Sequence, residues 1–413
     1  MNRRDFCKNT LQLGLFSAAS SLFSLPSWAL QQLQGPPQFL LLIRLAGGWD
    51  TSLCTNPWIL PQRPQQSDCF IEYTEDKILR GRNITVGPGL QPLQNYFDRM
   101  SIINGLFMTA TDGGHDSSAL YASSGNGEGH LGVLPASLES LFFHSPFGML
   151  ANRSVFTGEK GPSVWDLSSL INSRTVMDAE SLWNFAQDSS ELSQARANLR
   201  NYKKQINLFN KSIEDIPDLT SPLAIAKAFS SGLSYSAYYN ISTDLDTHSA
   251  HERAHLNNLT KAFFEVKDLL DSLAQEPGID ARFEALETQS LLDQTTVMIV
   301  SEFTRTPAMN ASEGKDHNPQ SNSTILISPH LRSGMIGDSQ LITRSQSTLG
   351  APYWASKPLD LKTFEPVNRR EGSFIMRPEN VVATVVSSLG VDPAKISPSL
   401  GSARILTSLL KNS

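Results

Sequence analysis

QFLLLIRLAGGWD, residues 38–50, is an almost continuous apolar run that ends in two glycines, a tryptophan and an aspartate. A strand that is covered on both faces by helices has this pattern, because neither of its sides meets water. The run therefore predicts a buried central strand. Four more segments, rich in apolar and β-branched or aromatic residues, predict further strands: 99–107, 234–242, 294–303 and 322–328.

Two other segments have the composition and spacing of helices. Residues 251–275 place leucine, phenylalanine and valine three and four positions apart, and residues 379–393 form an apolar run that closes at Gly390. Strands that alternate with helices predict an α/β fold with a mainly parallel, doubly wound sheet. The polar, helix-prone segment at about 177–215 predicts a helical insertion within one domain, residues 30–413.

The composition indicates a globular chain and argues against a nucleic-acid partner. Of the 413 residues, 40% are hydrophobic and 18% are charged, and the formal net charge is −6. Folded domains have such a composition, whereas proteins that bind DNA or RNA present a basic surface. The length accommodates one large domain or two ordinary ones.

The N-terminus resembles a twin-arginine export signal. Arg3 and Arg4 precede a short apolar stretch, LQLGLFSAASSLFSL, which a small-x-small cleavage site follows at 27–29. We expect residues 1–29 to be removed on export to the periplasm or the extracellular side, with no stable transmembrane span left behind. A basic start on a cytosolic protein and an uncleaved anchor are the two alternatives.

Removal of the signal leaves two cysteines in the chain, Cys54 and Cys69. An oxidising compartment allows a disulfide between them, and two free buried thiols are an equal alternative. Two cysteines alone do not make a zinc site, so we expect them to serve stability.

Polar side chains that suit a metal ion follow the predicted strands at their carboxyl ends, where open α/β sheets bind ligands. Four segments distant in sequence carry them, and together they predict a site for Zn²⁺ or Mn²⁺. In chain order the segments hold Asp50; His115, Asp116, Ser117 and Ser118; Asp244, Asp246, His248 and His251; and Glu302, Asp316 and His317.

Several of these residues also have a purely structural interpretation. Asp50 after two glycines is typical of a cap or a turn, and the segment around Asp246 is typical of a helix N-cap. His251 and His255, one helical turn apart, are more often solvated than metal-bound. Arg305 has two interpretations: a structural ion pair with Glu302, or a planar fork for an anionic ligand.

With these segments in order, the chain resembles the family known as domain of unknown function 1501, within the alkaline phosphatase and sulfatase superfamily. The resemblance rests on LAGGWD at 45–50, HDSSALYASSG at 115–125, DTHSAHERAHLNNLTKAF at 246–263, and SEFTRTP at 301–307 followed by GKDHNP at 314–319. The tail RPENVVATVVSSLGVDP is similar to the late helix of the superfamily.

The resemblance implies a sheet of the alkaline phosphatase type with a two-metal site; with two departures from the family pattern, one or two divalent ions, zinc or manganese, are expected here. The implied ligands follow the strands: Asp50, then Asp246 (or Asp244) with His248, then Glu302 and His317. The superfamily also places a hydroxyl nucleophile at the start of the helix after the second strand. Here that position falls on His115, with Ser117 two residues away.

The chain departs from the superfamily pattern at two places. The first is His115 at the nucleophile position, and the second is Glu302-Phe303, where the superfamily has Asp-His, so one imidazole is missing. The resemblance implies an exported metal-dependent hydrolase of phosphate or sulfate esters, in which Arg305 stabilises charge on the transferred group. The alternative is a non-catalytic metal- or glycan-binding protein of a cell-surface or secretion assembly. An anionic ester or a glycan is the expected partner.

Overall fold

The computed structural model describes most of the chain. The described residues are 37–58, 68–108, 114–125, 149–151, 164–166, 204–205, 207–214, 216, 221–280 and 282–411. The predicted export signal, 1–29, lies outside them, and so does most of the predicted insertion at about 177–215. Within that insertion, residues 204–205 and 207–212 are helical. Its boundaries and the single-domain assignment stay predictions.

The protein is a mixed α/β structure with a central, mostly parallel sheet. Its strands are β1 (Phe39–Leu45), β2 (Leu79–Arg80), β3 (Thr85–Val86), β4 (Met100–Asn104), β5 (Met149–Ala151), β6 (Val164–Asp166), β7 (Ser236–Ile241), β8 (Pro277–Ile279), β9 (Ala285–Ser290), β10 (Thr295–Val300), β11 (Thr304–Arg305), β12 (His317–Asn318), β13 (Ser323–Ile327), β14 (Gly334–Ile336), β15 (Ser339–Ile342), β16 (Tyr353–Ser356), β17 (Leu359–Asp360) and β18 (Ser373–Phe374).

The named α-helices are fewer than the strands, and short 3-10 turns connect several elements. The helices are α1 (His115–Ser124), α2 (Pro222–Ser230), α3 (His251–Gln275), α4 (Pro378–Ser388) and α5 (Pro398–Ser402). The 3-10 segments are Thr51–Leu53, Glu75–Lys77, Pro88–Arg99, Leu291–Gln294, Pro393–Lys395 and Thr407–Leu409.

The chain divides into two compact units, and the larger holds residues 41–134, 239–268 and 295–413. Its sheet has the strand order β14-β4-β13-β10-β1-β7. Strand β13 is antiparallel to both of its neighbours, β10 and β4, whereas β14 is parallel to β4. The hairpins β2–β3, β11–β12, β15–β16 and β17–β18 also belong to this unit.

The smaller unit holds residues 1–40, 135–238 and 269–294. In it, β5 is parallel to β6 and to the first part of β7, where Leu150 pairs with Ala237. Strands β8 and β9 form an antiparallel pair.

The predicted central strand is confirmed by β1, whose side chains from Phe39 to Leu45 are buried apart from Arg44. The strands predicted at 99–107, 234–242, 294–303 and 322–328 are confirmed by β4, β7, β10 and β13. A parallel bridge joins Trp49 to Thr304 just beyond β1 and β10. The residues that follow these two strands, from Asp50 and from Arg305, therefore start at the same edge of the sheet.

Helix α3 has the bounds that the periodicity predicts. Its buried stripe includes Leu259, Phe263 and Val266, each fully buried, and continues toward the N-terminus through His255 and His251. The stripe therefore carries two imidazoles into the interior of the larger unit. Helix α4 confirms the predicted late helix and ends two residues before Gly390. No helix in the described part of the chain has the length and apolarity to cross a membrane.

Candidate metal centre

Three side chains from distant segments of the larger unit come together at the sheet edge. His115 is the first residue of α1, Asp246 follows β7, and His317 begins β12. One ligand atom from each lies within 4.8 Å of the other two. The convergence that the strand ends predict is therefore present for these three residues.

Asp246 lies at the centre of this group. Its Oδ2 is 3.4 Å from His115 Nε2, and its Oδ1 is 3.2 Å from His248 Nε2 and 3.6 Å from His317 Nε2. The four side chains are 24% to 45% exposed. A solvent-borne ion or ligand therefore has access to them.

His248 joins the group through His317, since their Nε2 atoms are 2.9 Å apart. On the other side of its ring, His248 Nδ1 lies 2.9 Å from Oδ1 of Asp316. A carboxylate that accepts from Nδ1–H leaves the Nε2 lone pair free to face a metal ion, as in many histidine sites. Asn310 in turn donates to the same Asp316 oxygen and to the His248 carbonyl.

Glu302, fully buried beneath the group, binds protein donors with both oxygens. Oε1 accepts from Arg44 Nη2 at 2.5 Å and from the Gly47 N–H at 2.9 Å, and Oε2 accepts from the Gly48 N–H at 3.2 Å. His115 Nδ1 lies 3.6 Å from Oε1. Burial alone would raise the pKa of Glu302, but His115 and Arg44 lower it to about 2. Glu302 is thus an anion that orients His115.

The same contacts act on the ligand side chains. The Glu302 carboxylate beside Nδ1 raises the pKa of His115 above its usual value. Burial opposes ionisation of Asp246, but the hydrogen bond and charge of Arg305 outweigh it and lower the pKa of that carboxyl. Asp246 is therefore an anion at neutral pH, and the ionised carboxylate is the form that binds a metal cation.

Arg305 is fully buried, and all three of its side-chain nitrogens donate to protein oxygens. Nη2 donates to Asp246 Oδ1 at 2.6 Å and to the Gly47 carbonyl, Nε to the Gly48 carbonyl at 3.1 Å, and Nη1 to the Lys315 carbonyl at 3.0 Å. The ion pair proposed between Arg305 and Glu302 is replaced by two others, Arg305 with Asp246 and Arg44 with Glu302. These contacts hold Asp246 in place, and a role for Arg305 on a transferred group stays a prediction.

The turn at Gly47–Gly48 connects the two ion pairs. Both glycines have positive φ, 112° and 83°, a conformation that side chains disfavour. A Cβ at Gly47 would lie 2.8 Å from the Asp246 backbone nitrogen, and a Cβ at Gly48 would lie 2.3 Å from the Phe303 ring. The turn can be this close to both neighbours only because it has no side chains.

Phe303 stands where the resemblance implies a histidine, and it packs under the imidazoles. Its ring centroid is 4.2 Å from that of His317 and 5.2 Å from that of His115, and its side chain is fully buried. The residue therefore supports two ligand rings without supplying a ligand atom.

A second cluster of charged side chains lies inside the larger unit, around Asp50. The Asp50 Oδ2 is 2.6 Å from Lys315 Nζ and 3.3 Å from His251 Nε2, and that same His251 nitrogen is 3.3 Å from Glu72 Oε1. Asp50, His251 and Lys315 are almost wholly buried. The structure therefore places Asp50 with Lys315, and its role as a metal ligand stays a prediction.

Burial dominates the ionisation of this second cluster. It raises the pKa of Glu72 to about 8 and lowers that of His251 to about 4. For Asp50 the charge of Lys315 and the contact with His251 outweigh burial and keep the pKa below its usual value. At neutral pH, Asp50 is thus the anion of this cluster, and Glu72 and His251 are mainly neutral.

The interpretation of His251 and His255 as solvated histidines is wrong, since both are fully buried. Their rings stack at 4.3 Å, and Thr247 Oγ1 lies 2.7 Å and 2.8 Å from their Nδ1 atoms. His255 Nε2 accepts from the Asp50 N–H at 2.9 Å. They were misassigned because the buried stripe of α3 continues for about two turns before its first buried apolar residue, Leu259.

The remaining predicted residues lie at the edges of these clusters. Ser117 is exposed on the first turn of α1, and its Oγ donates to the Gly114 carbonyl at 3.3 Å. Asp244 adopts a positive φ of 59° and accepts from Asn258 through its carbonyl. Cys54 and Cys69 are both buried free thiols, so no disulfide joins them.

Four residues that position these clusters were not singled out from the sequence: Arg44, Glu72, Lys315 and, as an orienting residue, Asp316. Arg44 carried a signal, because it is the only charge in an apolar strand and must find a partner. Lys315 carried a weaker signal, because it precedes Asp316 and His317, which the sequence had marked as candidate site residues. Glu72 has no sequence feature that distinguishes it from an exposed glutamate.

The donor set fits a divalent ion. His115, Asp246 and His317 offer nitrogen and carboxylate oxygen atoms, which Zn²⁺ and Mn²⁺ both accept, and their mutual separations are those of groups that share one ion. His248 adds a nitrogen at the same place. The arrangement is compatible with a divalent metal and does not select between metals.

Comparison with known proteins gives a family-model match to part of the chain and weak similarity to solved structures. No curated protein matches the chain. Among solved structures, the crystal structure of the lipoteichoic acid synthase LtaP from Listeria monocytogenes is similar at 12% identity, over 73% of this chain and 68% of that chain. Its TM-score of 0.27 is too low to support a statement about function. Residues 241–343, which carry Asp246, His248, Arg305 and His317, match the family model described as Protein of unknown function (DUF1501).

Proposed function

We propose that the protein is an exported, metal-dependent hydrolase of phosphate or sulfate esters, built on a sheet of the alkaline phosphatase type. One observation carries the proposal: His115, Asp246 and His317 bring ligand atoms within 4.8 Å of one another from three distant segments. Export rests on the paired arginines and the cleavage site of the N-terminal sequence.

In this proposal His115, Asp246, His248 and His317 hold a divalent ion. The ion would supply Lewis acidity to an ester oxygen. The protein keeps the four ligands in place through charged partners: Glu302 beside His115, Arg305 on Asp246, and Asp316 on His248. Such outer contacts fix the tautomer and the orientation of a ligand histidine.

The substrate class follows from charge and access. A phosphate or sulfate monoester is an anion, so it is attracted to a bound divalent ion. The partial exposure of the ligands leaves room for such a group from the solvent side. His115 also begins helix α1, where backbone N–H groups without helical partners favour an anion.

A non-catalytic metal- or glycan-binding protein is the second candidate, and the described residues around the ligands favour it in two respects. Phe303 replaces an expected imidazole. Arg305 is buried, and its nitrogens donate hydrogen bonds to protein oxygens. Both features reduce the machinery that the described residues offer for ester cleavage.

Metal analysis of protein produced in the periplasm, followed by a screen of phospho- and sulfo-esters, separates the candidates. We expect one equivalent of zinc or manganese and an ester turnover that chelation removes and the ion restores. Bound metal without turnover of any ester would favour the binding protein. Protein that binds neither zinc nor manganese would overturn the hydrolase and leave glycan binding as the form of the second candidate to be tested.

A further inference from the structure

We propose that Asp50 positions the candidate metal centre instead of binding its ion. Two segments, 246–248 and 314–317, carry most of the proposed ligands, and buried contacts connect each of them to Asp50. The inference rests on the metal centre of the proposed function, and it adds a residue that fixes the geometry of that centre from below.

Asp50 is itself held in one position by its neighbours. It is fully buried, and its Oδ1 accepts from the Ser52 N–H at 2.9 Å and from the Ser52 hydroxyl at 2.6 Å. The other oxygen, Oδ2, accepts from Lys315 Nζ at 2.6 Å. Both oxygens of the carboxylate are therefore engaged with donors of the protein, which suits an anchor better than a metal ligand.

The first path from the anchor runs through Lys315. Its buried Nζ donates to Asp50 and to the Phe70 carbonyl, the latter at 3.1 Å. Its backbone N–H donates to the Thr247 carbonyl at 3.0 Å, and its carbonyl accepts from Arg305 Nη1 at 3.0 Å. Lys315 lies two positions before the proposed ligand that begins β12, so these bonds fix the approach of the chain to that ligand.

The second path runs from Asp50 through His255 to Thr247. The Asp50 N–H donates to His255 Nε2 at 2.9 Å. Because a backbone N–H can only donate, Nε2 accepts, and the proton of the neutral ring lies on Nδ1, 2.8 Å from Thr247 Oγ1. Thr247 is buried and stands in sequence between two proposed ligands. The hydroxyl that accepts this proton therefore holds the backbone between them.

The two segments also contact each other directly. Asn310 Nδ2 donates to the His248 carbonyl at 3.0 Å, and the His251 N–H donates to the Glu313 carbonyl at 2.9 Å. A Cβ at Gly314 would collide with the backbone of His248. The segments thus form one junction, which two separate paths connect to the buried anchor.

The anchor and its paths are buried, whereas the ligands are partly exposed. Asp50, His255 and Lys315 are at most 1% exposed, and the ligand side chains of the two segments are 24% to 45% exposed. Hydrogen bonds between buried groups are stronger than those that water competes for. The rigid part of the centre therefore lies beneath it, and loosening that part should weaken ion binding as the loss of other outer contacts does.

Lys315→Met and Thr247→Val each interrupt one path and leave every proposed ligand in place. We expect each variant to bind zinc about 10- to 100-fold more weakly than the wild type in a competition titration. The direction of the Lys315→Met effect separates an anchor from a ligand. If Asp50 bound the ion in competition with Lys315, removal of the ammonium would raise zinc affinity. A rise, or wild-type affinity in both variants, would overturn the inference.

Thr384→Val and Lys357→Met are the matched controls. The first removes a buried hydroxyl that accepts from the Leu406 N–H, and the second removes an ammonium that pairs with Asp338. Both controls should keep wild-type zinc affinity even if their unfolding midpoints fall. An equal loss of affinity in the controls would show a general effect of lowered stability and would refute the anchor.

The double variant Asp50→Asn with Lys315→Met covers the case in which Lys315→Met does not fold, because neither charge of the pair is left alone in the interior. It lacks the first path, so it should lose zinc affinity as the single variant does. Wild-type affinity in the double variant would mean that the pair only balances charge, and the inference would fail.

Amide hydrogen exchange of the metal-free proteins tests the anchor without zinc. We expect the amides of 246–248 and 314–317 to exchange about 5- to 10-fold faster in Lys315→Met and Thr247→Val than in the wild type, the effect of about one lost hydrogen bond. Unchanged exchange in both variants would refute the inference. A wild type that binds no zinc would contradict the proposed function, and exchange would then decide about the anchor.

Discussion

The Nε2 atoms of His248 and His317 face each other at 2.9 Å. Two ring nitrogens at that distance cannot both carry a proton, so one donates to the other or both turn lone pairs toward one cation. Because Asp316 lies against Nδ1 of His248, the proton of that ring belongs on Nδ1 and the lone pair on Nε2. A single ion between the rings satisfies both nitrogens.

We therefore expect His248→Ala and His317→Ala each to lower the zinc content of purified protein by most of one equivalent. Both side chains are partly exposed, so neither change should unfold the protein. Metal analysis and a thermal unfolding curve check the two expectations together. His330→Ala, a histidine next to Lys411, is the matched control and should keep its zinc. Full zinc content in both variants would rule out the cluster.

Asp316→Asn tests the orienting role of the carboxylate on His248. Loss of such an outer contact lowers metal affinity by about 10- to 100-fold in known sites, because the ring tautomer is no longer fixed. We expect a loss of that size in a zinc competition titration, with partial recovery in Asp316→Glu. In a His248→Ala background the same change should have no further effect. An equal loss in that background would mean that Asp316 acts elsewhere.

His115→Ala and Ser117→Ala distinguish the two residues that the nucleophile position suggests. His115 contacts Asp246 and Glu302, whereas Ser117 is exposed and donates to the Gly114 carbonyl. If the protein hydrolyses esters, His115→Ala should abolish turnover and lower bound metal, and Ser117→Ala should keep most of both. The reverse pattern in a turnover assay would assign the role to Ser117.

Acid unfolding should report on Glu302. Its pKa in the folded protein is about 2 against 4.5 for the free side chain, so the carboxylate stabilises the fold fully above about pH 4.5. That contribution, on the order of 3 kcal/mol, is lost as the pH falls from 4.5 toward 2.

Glu302→Gln should therefore unfold more easily than the wild type at neutral pH, and the gap should narrow in this acid range. Urea unfolding at several pH values measures the gap. Glu371→Gln changes an exposed glutamate and serves as the comparison. A gap that stays constant down to pH 2 would show that Glu302 is not ionised in the fold.

Changing Arg3 and Arg4 to lysine should trap the precursor in the cytoplasm, because the twin-arginine route requires the guanidinium pair. Fractionation of cells that express either form, with an antibody to the mature chain, measures the distribution. Normal amounts of the variant in the periplasm would show that another route exports the protein or that residues 1–29 have another role.

The five strands and two long helices that were predicted each have a strong local pattern, whereas the short strands such as β2, β3 and β17 do not. Strand β1 is apolar on both faces, and α3 repeats its apolar residues over 25 positions. Whether a strand runs parallel or antiparallel to its neighbours has no such signature in the sequence. Strand β13 reads like the other buried strands, yet it is antiparallel to β10 and β4, since its direction depends on the path of the loop that precedes it.

The convergence of His115, Asp246 and His317 could be expected from sequence because their segments come after strands β4, β7 and β10, and strand ends meet at one edge. Their partners could not. Arg44 reaches Glu302 across 258 positions and Lys315 reaches Asp50 across 265, so each pairing depends on the assembled sheet. His251 and His255 were misjudged for the same reason. The periodicity of a helix shows on which side a residue lies, but not how far along the helix that side is covered by other elements.

Because Gly48 lies so close to Phe303, a small change at this glycine would shift the Phe303 ring and the side chains that contact it. A methyl group added at Gly48 would collide with the ring, which also contacts His317, His115 and the guanidinium of Arg305. The smallest possible side chain, placed on a residue without a titratable group, would then shift two imidazoles of the candidate metal centre without altering any charge. Replacing a ligand changes both the positions of the side chains and the number of titratable groups in the candidate metal centre. A substitution at Gly48 would change the positions alone.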